Sequence, residues 1–515
     1  MTGTTGSRPI QDPPHRHAKV SSTALGSAEP MDFVGKRPTI IHPLPRPNGR
    51  ATLSGTVSTL AATTTTTTTT SPTVTPPPLA AEPASAPFTR SPPTATSAVG
   101  SGRTAFDLRL GRSVPVSGLA HPAFERALDQ STGSVAHADN AVTPLFDGHH
   151  SFAERNKLID GATSSIHLQT FIYTDDDTGL DLTRRLCAAA ARGVDVRVIF
   201  DGLGSNRSDV SLFNTLRAAG VEVRAHETGL DLLSINNRWH EKHLVVDGLV
   251  AVEGGMNIAD EYALGGSGRM VIRDAGKSEH AWRDVDVRVE GPAVHDVQRA
   301  FVRNWKLLGS ALPDGAMAPL FPKPVRTPGG DSVRVVQHHP HGDPPDDHTL
   351  QLHLKAIGAA TKSITIENAY FVPPESLREA FKAAARRGVE VKVLTNSKAS
   401  SDMGFVCDAA RYFYQEMLDA GVQIFEQQQG TLHAKTATFD GVYSIVGSCN
   451  LNGRSDTRDT ESVVAIRGED VAVALEQRFT AGLHNARPVT AADLHHDSFL
   501  DDITQWAMST LAWTI

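Results

Sequence analysis

The chain has 515 residues, 40% of them hydrophobic, enough for two domains or one large duplicated one around a real core. Its net charge of −8 and pI near 6.3 offer no basic field for nucleic acid. No run approaches the ~18 apolar residues that span a bilayer, and Met1 to Lys19 lacks the apolar stretch of a secretory signal peptide. Three scattered cysteines, Cys187, Cys407 and Cys449, make neither a disulfide framework nor a thiolate metal centre, so a reducing compartment is the default.

Residues 1–120 read as a disordered tail. They hold the run Thr63–Thr70, Pro76-Pro77-Pro78 and much Ser, Ala and Gly. Such a composition buries too little apolar surface to offset the entropy of ordering. It is also what a secretion machine reading unstructured N-termini would accept, so export as an effector is a second expectation.

Order is expected from near Ala138. A strand and turn over Asn140 to Gly148 precede a helix from Phe152 to Gly161 and a β-rich run from Ser165 to Tyr173. A helix from Leu180 to Arg192, Gly193 and the alternating strand Val194 to Phe200 make a βαβ signature. A second helix, Leu212 to Ala219, stops at Gly220 before strand Val221 to Arg224. The order then recurs. Ser363 to Phe371 parallels the first strand run, Leu377 to Arg387 with Gly388 and Val389 to Leu394 the first helix and strand, and Ala410 to Ala420 with Gly421 and Val422 to Phe425 the second. The core is a tandem α/β duplication: repeat one over 121–312, a Pro/Gly-rich linker over 313–331 and repeat two, with a C-terminal helix, over 332–515.

Each set leads into one motif. The first is His240-Glu-Lys242 with Asp247, then Gly254-Gly255-Met256-Asn257; the second is His433-Ala-Lys435 with Asp440, then Gly447-Ser448-Cys449-Asn450. On a strand, residues two apart share a face, so each His projects with its Lys. Two imidazoles, two ammonium groups and two amides around one point suit a tetrahedral oxyanion, most simply a phosphate. Lysine is a poor metal ligand and no carboxylate cluster accompanies the histidines, so no metal and no cofactor is expected. One imidazole would attack phosphorus and the other act as acid and base. Each needs an orienting carboxylate, for which Asp284 and Glu461 are the candidates. Asp247 and Asp440 complete the motifs and count with the catalytic set, though a structural bond to backbone near the following turn is the readier role.

A lone His-x-Lys on a strand is ordinarily a solvated face; two copies with the same His, Lys, Asp and Asn spacings on an independent repeat are not. Other histidines, such as His149-His150, His338-His339 and His495-His496, are expected at the surface. His243 and Cys449 are expected in packing, and Asp175-Asp-Asp177 in an acidic turn.

These residues resemble the phospholipase D superfamily, whose doubled His-x-Lys-x4-Asp motif is highly specific, and within it the bacterial cardiolipin synthases. Ile235-Asn-Asn-Arg-Trp-His-Glu-Lys242, Trp282 to Pro292, and Gly447 to Ser455 followed by Glu461 carry the likeness, over about residues 138–485. The resemblance implies two α/β domains of mixed sheet flanked by helices, meeting at one site on a pseudo-twofold. It implies ping-pong chemistry without metal, with His240 the nucleophile and His433 the acid and base. Lys242, Asn257, Lys435 and Asn450, with Ser448 beside them, would bind phosphate. This chain departs from the pattern in having a Ser/Thr/Pro-rich tail where membrane-anchored relatives begin with transmembrane helices. Gly255 stands in place of serine, and Asp459-Thr460 stands ahead of Glu461.

The expected activity is phosphatidyl transfer from a phospholipid such as phosphatidylglycerol or phosphatidylethanolamine to an alcohol or water, at the membrane surface or in the cytoplasm. Loop Ala263 to Met270 reads as a mobile lip, and Phe499 to Trp513 as an interfacial or domain-packing helix. The alternative is a nuclease using the same site, against which the acidic charge argues.

Overall fold

The computed structural model describes residues 103–107, 112–116, 118–226, 236–264, 270–273, 277–280, 282–309, 312, 315 and 317–494. All fall within the compact unit Ala95–Ile515. The expected tail therefore lies outside the described residues except for a short part near its end, as do much of the lip, the terminal helix and His495-His496.

Strands β1 (Arg103–Asp107) and β2 (Arg112–Val116) pair as a hairpin inside the stretch expected to be disordered. Five pairs of residues leave no mark on a Ser/Thr/Pro-rich composition. Helix α1 (Pro122–Thr132) also precedes the expected onset of order. The first half continues with β3 (His137–Phe146), α2 (Asp147–Gly161), β4 (Ser165–Thr170), α3 (Asp177–Ala191), β5 (Asp195–Asp201), α4 (Val210–Ala218) and β6 (Glu222–His226). It closes with β7 (His243–Val246), β8 (Val250–Gly254), α5 (Asp260–Ala263), the hairpin β9 (Met270–Arg273) and β10 (Lys277–His280), β11 (Val285–Glu290) and α6 (Val294–Leu307).

The second half repeats the plan: β12 (Asp331–His338), α7 (His348–Ala359), β13 (Ser363–Asn368), α8 (Glu375–Arg386), β14 (Glu390–Asn396), α9 (Gly404–Arg411), α10 (Tyr414–Asp419) and β15 (Gln423–Gln427). Then come β16 (Lys435–Phe439), β17 (Tyr443–Gly447), α11 (Gly453–Thr457), β18 (Glu461–Arg467), α12 (Glu469–Leu483) and β19 (Ala486–Pro488). The single helix expected over Ala410 to Ala420 is broken, with Tyr412 and Phe413 between α9 and α10. The glycines read as helix stops, Gly193, Gly220, Gly388 and Gly421, all stand at φ between 89° and 95°, a left-handed turn that spares the last carbonyls from going unbonded. Within Asp175-Asp-Asp177, Asp176 caps α3 by accepting from the Gly179 amide at 3.0 Å.

Fifteen strands form one mixed sheet in the order β19-β15-β14-β13-β16-β17-β18-β12-β3-β11-β8-β7-β4-β5-β6. The order is nearly palindromic. Parallel β4-β5-β6 and β13-β14-β15 mark the βαβ units, and antiparallel β12-β3 joins the halves. Before β12, residues 317–330 hold a single 3₁₀ turn, Ala318–Leu320, and no strand.

Among the described residues the three largest apolar cores lie against this sheet. One lies between the first half's sheet and α3 and α4, around Leu168, Leu186 and Phe213. A second holds α7, α8 and, from outside its own half, α1 through Phe124 and Leu128. The third is shared: Val245, Ala251 and Val287 of the first half pack with Val446, Val464 and Ile466 of the second. Each buried valine there is worth about 1.5–3 kcal/mol, so this face fixes one half against the other. Among the described residues no helix is long and apolar enough to cross a membrane.

Candidate active site

The shared core ends where the two motifs begin. His240 and Lys242 stand just ahead of β7, and His433 just ahead of β16, whose first residue is Lys435. The lead-in to the first motif is pinned by Asp201, which accepts from Arg238 Nη1 at 3.0 Å and from the Trp239 amide at 3.2 Å. The Trp239 ring stacks on His226, centroids 4.4 Å apart.

Backbone then crosses between the halves. Trp239 pairs with Thr460, and Arg283 with Leu432, as isolated parallel bridges. The His240 amide donates to the Thr460 carbonyl at 3.0 Å, and the His433 amide to that of Arg283 at 2.7 Å. Thr460 and Arg283 each precede a carboxylate, so the bridges deliver Glu461 to one imidazole and Asp284 to the other. Glu461 lies 3.0 and 3.1 Å from His240 Nδ1, and Asp284 Oδ2 lies 2.7 Å from His433 Nδ1. Each histidine is thus held by the opposite half.

Both carboxylates are fully buried. Glu461 accepts from Ser448 Oγ at 2.5 Å and Ser455 Oγ at 2.6 Å. Burial pushes its carboxyl up, against Lys242 and the two hydroxyls. Burial opposes ionisation of Asp284 as well, but His433 and Lys435 outweigh it and hold its carboxyl below the usual range. Burial, reinforced by the Lys242 and Lys435 charges, drives His240 well below its ordinary value. Burial and Lys435 bring His433 to about 4 against the pull of Asp284. Burial lowers Lys242 to about 7 and Lys435 to about 8. Each lysine acts on the other half's histidine, so all four belong to one site. Such a cluster of cations short of counter-charge favours an anionic ligand.

Both lysines turn back onto their own motif, Lys242 Nζ donating to the His240 carbonyl and Lys435 Nζ to that of His433. The walls differ. Phe171 meets His240 edge-on at 5.2 Å, whereas His433 sits among the rings of Tyr262, Trp282 and Tyr370 at 5.1, 5.2 and 6.3 Å.

The expected phosphate donors are not equivalent. Asn257 accepts from the Ile172 amide at 3.0 Å and donates to Tyr262 Oη at 2.9 Å. Asn450 Oδ1 is buried without a hydrogen-bond partner among the described residues. Ser448 is spent on Glu461. At the matching Gly255, a Cβ would lie 2.3 Å from Asp284 Oδ1, so the carboxylate fills the space a serine would need.

Asp247 and Asp440 sit at the far ends of β7 and β16, about 20 Å along the strand from the histidines. The backbone they hold leads into the neighbouring strand, not the following turn. Asp247 accepts from the amides of Thr163, Ser164 and Ser165 at 3.0, 2.8 and 2.9 Å. Asp440 accepts from those of Thr361, Lys362 and Ser363 at 2.9, 2.7 and 3.1 Å.

His243 is buried 3.5 Å from Glu253, and Cys449 is buried. His149 and His150 are exposed. His338 corrects the surface expectation: it is fully buried and its Nδ1 lies 3.1 Å from Asp346, because β12 is an interior strand. Sequence reasoning missed Ser455, although its six-residue spacing to Glu461 was in view. It also missed Glu241, whose alternation with His240 and Lys242 signals only that it faces the other way.

The family model described as "Cardiolipin synthase, PLD-like domain" matches residues 156–267 and 353–482. These segments hold both motifs and Glu461 but not Asp284. A cardiolipin synthase of Listeria monocytogenes serotype 4a (strain HCC23) is 34% identical over 353 residues, covering 67% of this chain and 70% of that protein. Cardiolipin synthase A of Pseudomonas entomophila (strain L48) is 33% identical over 361 residues, covering 69% and 71%. The crystal structure of phosphatidylserine synthase from Haemophilus influenzae Rd KW20 shares the fold, with a TM-score of 0.57 at 14% identity over 76% of this chain and 97% of that one. The chain belongs to the cardiolipin synthase family of phospholipase D-like proteins.

Proposed function

We propose that the chain is a phospholipid phosphatidyltransferase that works through a phosphohistidine. The observation that carries this is the crosswise pairing, each imidazole bonded through Nδ1 to a carboxylate of the other half beside a buried lysine. Names of the relatives point to the same substrate class.

His240 Nε2 attacks the phosphorus of the donor lipid, and the P–O bond to its headgroup breaks as His433 gives a proton to the leaving oxygen. The acceptor hydroxyl then loses its proton to His433 and attacks phosphorus, and the P–N electron pair returns to His240. Lys242, Lys435 and the two asparagines carry the charge on the phosphoryl oxygens. His433 must start protonated. The phosphodiester anion favours that, since it offsets the lysine charges that depress the imidazole.

Donors are phosphatidylglycerol or phosphatidylethanolamine and the acceptor is an alcohol or water, met at the membrane surface. The test is mass analysis of products from each lipid with and without added glycerol. Cardiolipin or a phosphatidyl alcohol establishes a transferase, and phosphatidic acid alone a hydrolase. With no lipid turnover the reading fails, and single-stranded DNA becomes the next substrate.

A further inference from the structure

Away from the paired histidines, α6 borders a groove of about 720 Å³ whose lining includes Val302, Val335 and Gln337. Arg299, Arg303 and Lys306 stand along it at successive turns of the helix, all exposed. Arg299 is paired with Asp296. Arg303 and Lys306 form no ion pair or hydrogen bond among the described residues; partial burial lowers the Arg303 guanidinium from its ordinary value, and Glu241 and Asp346 offset this only from a distance. The rim is apolar where a soluble surface would be polar: Val135 is 53%, Leu307 66% and Met317 38% exposed.

The duplication supplies a control. With Thr460 as the counterpart of Arg283, the stripe Arg299, Arg303, Lys306 falls on Glu476, Thr480 and Leu483 of α12. That helix has no basic stripe there, and Glu476 accepts from Thr438 of β16 at 3.3 Å. The repeat's architecture therefore does not require the cationic face of α6. Two unpaired cations over exposed apolar side chains fit a ligand with an anionic head and a hydrocarbon body. A groove of this volume holds one such molecule's head and part of its chains.

We infer that the α6 groove binds an anionic phospholipid from a bilayer, phosphate on Arg303 and Lys306 and chain on Val135, Leu307 and Met317, at a site separate from the histidines. Asn304, on the same helix, donates to Glu241, the residue between His240 and Lys242. Gln337 of the groove lining donates to Glu241 as well, so the groove lies against the side of the first motif that faces away from its histidine and lysine. The choice of occupant rests on the phospholipid reading of the active site.

The test is sedimentation of the full chain with vesicles of phosphatidylcholine alone or mixed with phosphatidylglycerol. Binding is expected only to the anionic vesicles and to weaken with salt. Arg303→Ala/Lys306→Ala should cut partitioning roughly thirtyfold and lower vesicle turnover in step. Turnover of a monomeric short-chain lipid should stay within twofold. A double variant that sediments as the parent does overturns the inference. Complete release by excess inorganic phosphate also overturns it, in favour of a plain anion site. If the parent turns over neither lipid form, it is the active-site reading that fails, and sedimentation still decides this one.

Discussion

The two motifs are alike on the face that carries histidine and lysine and unlike on the face beneath it. Under the first, Glu241 is fully buried and accepts from Gln169 Nε2 at 2.6 Å, Gln337 Nε2 at 3.3 Å and Asn304 Nδ2. Burial pushes its carboxyl up to about 7. Under the second stands Ala434, in the apolar core with Leu432 and Phe479. The flanking helices differ in step: Phe301, Asn304 and Trp305 on α6 correspond to Arg478, Ala481 and Gly482 on α12. Arg283 reaches across beside Gly482 and bonds Glu367. What the proposed chemistry needs is the imidazole, its carboxylate and the lysine. What holds them in place can be a polar network or an apolar core.

The strongest way to break this comparison is to remove the shared parts. His240→Ala and His433→Ala should each lower turnover by about 10⁴-fold or more, since neither half works alone. Only His433→Ala, given a donor with a good leaving group, should accumulate phosphohistidine. If either variant keeps near-parental turnover, the equivalence of the halves is wrong. Next come the unlike parts. Ala434→Glu puts the first half's acid where no amides receive it and should cost about 3–5 kcal/mol in urea unfolding. Glu241→Ala strands amide donors and should cost about 1–3 kcal/mol. An Ala434→Glu variant as stable as the parent would mean the two supports are interchangeable.

Smaller effects sharpen the picture. Gly255→Ser should push Asp284 off His433 and reduce kcat/KM by about 10–100-fold. Ser448→Ala removes one of the bonds to Glu461 and should cost about tenfold. Last is pH. Lys242 and Lys435 lose their protons as pH rises through about 7 and 8. The decline of kcat/KM that His433 begins near pH 4 should therefore steepen in that range, and Lys435→Arg, always charged, should leave the steepening set by Lys242 alone. On the acid side His240, depressed well below its ordinary value, stays neutral under pH 6.5, so the slope there belongs to His433: kcat/KM should already decline as pH rises above about 4, where the free protein loses the proton His433 must donate.

Local signals made much of this legible. The helix stops needed only a glycine after an amphipathic run, and the repeat needed only two runs in the same order. Asp284 and Glu461 could be singled out as carboxylates that follow their motifs, although at unlike distances, 44 residues past His240 and 28 past His433. The structure shows in addition that each serves the other half's histidine, a crossing that no spacing within one repeat encodes. Glu241 was illegible for the same reason: its amide partners, Gln169, Asn304 and Gln337, come from β4, α6 and β12. The attachment of α1 to the second half's core, through Phe124 and Leu128, is likewise a matter of long-range packing. The interruption between α9 and α10 leaves an amphipathic pattern that still reads as one helix.

The exchange of carboxylates between the halves has an evolutionary consequence. Two identical subunits arranged this way would each lend an acid to the other and could never let one imidazole specialise, because any change would appear twice. Joining them in one chain removes that restraint. Nucleophile and acid can then drift apart in their surroundings, as the mismatch of Glu241 with Ala434 and of Gly255 with Ser448 records. The same exchange makes the partnership irreversible: a half released by cleavage or gene fission would lack the carboxylate its own histidine needs.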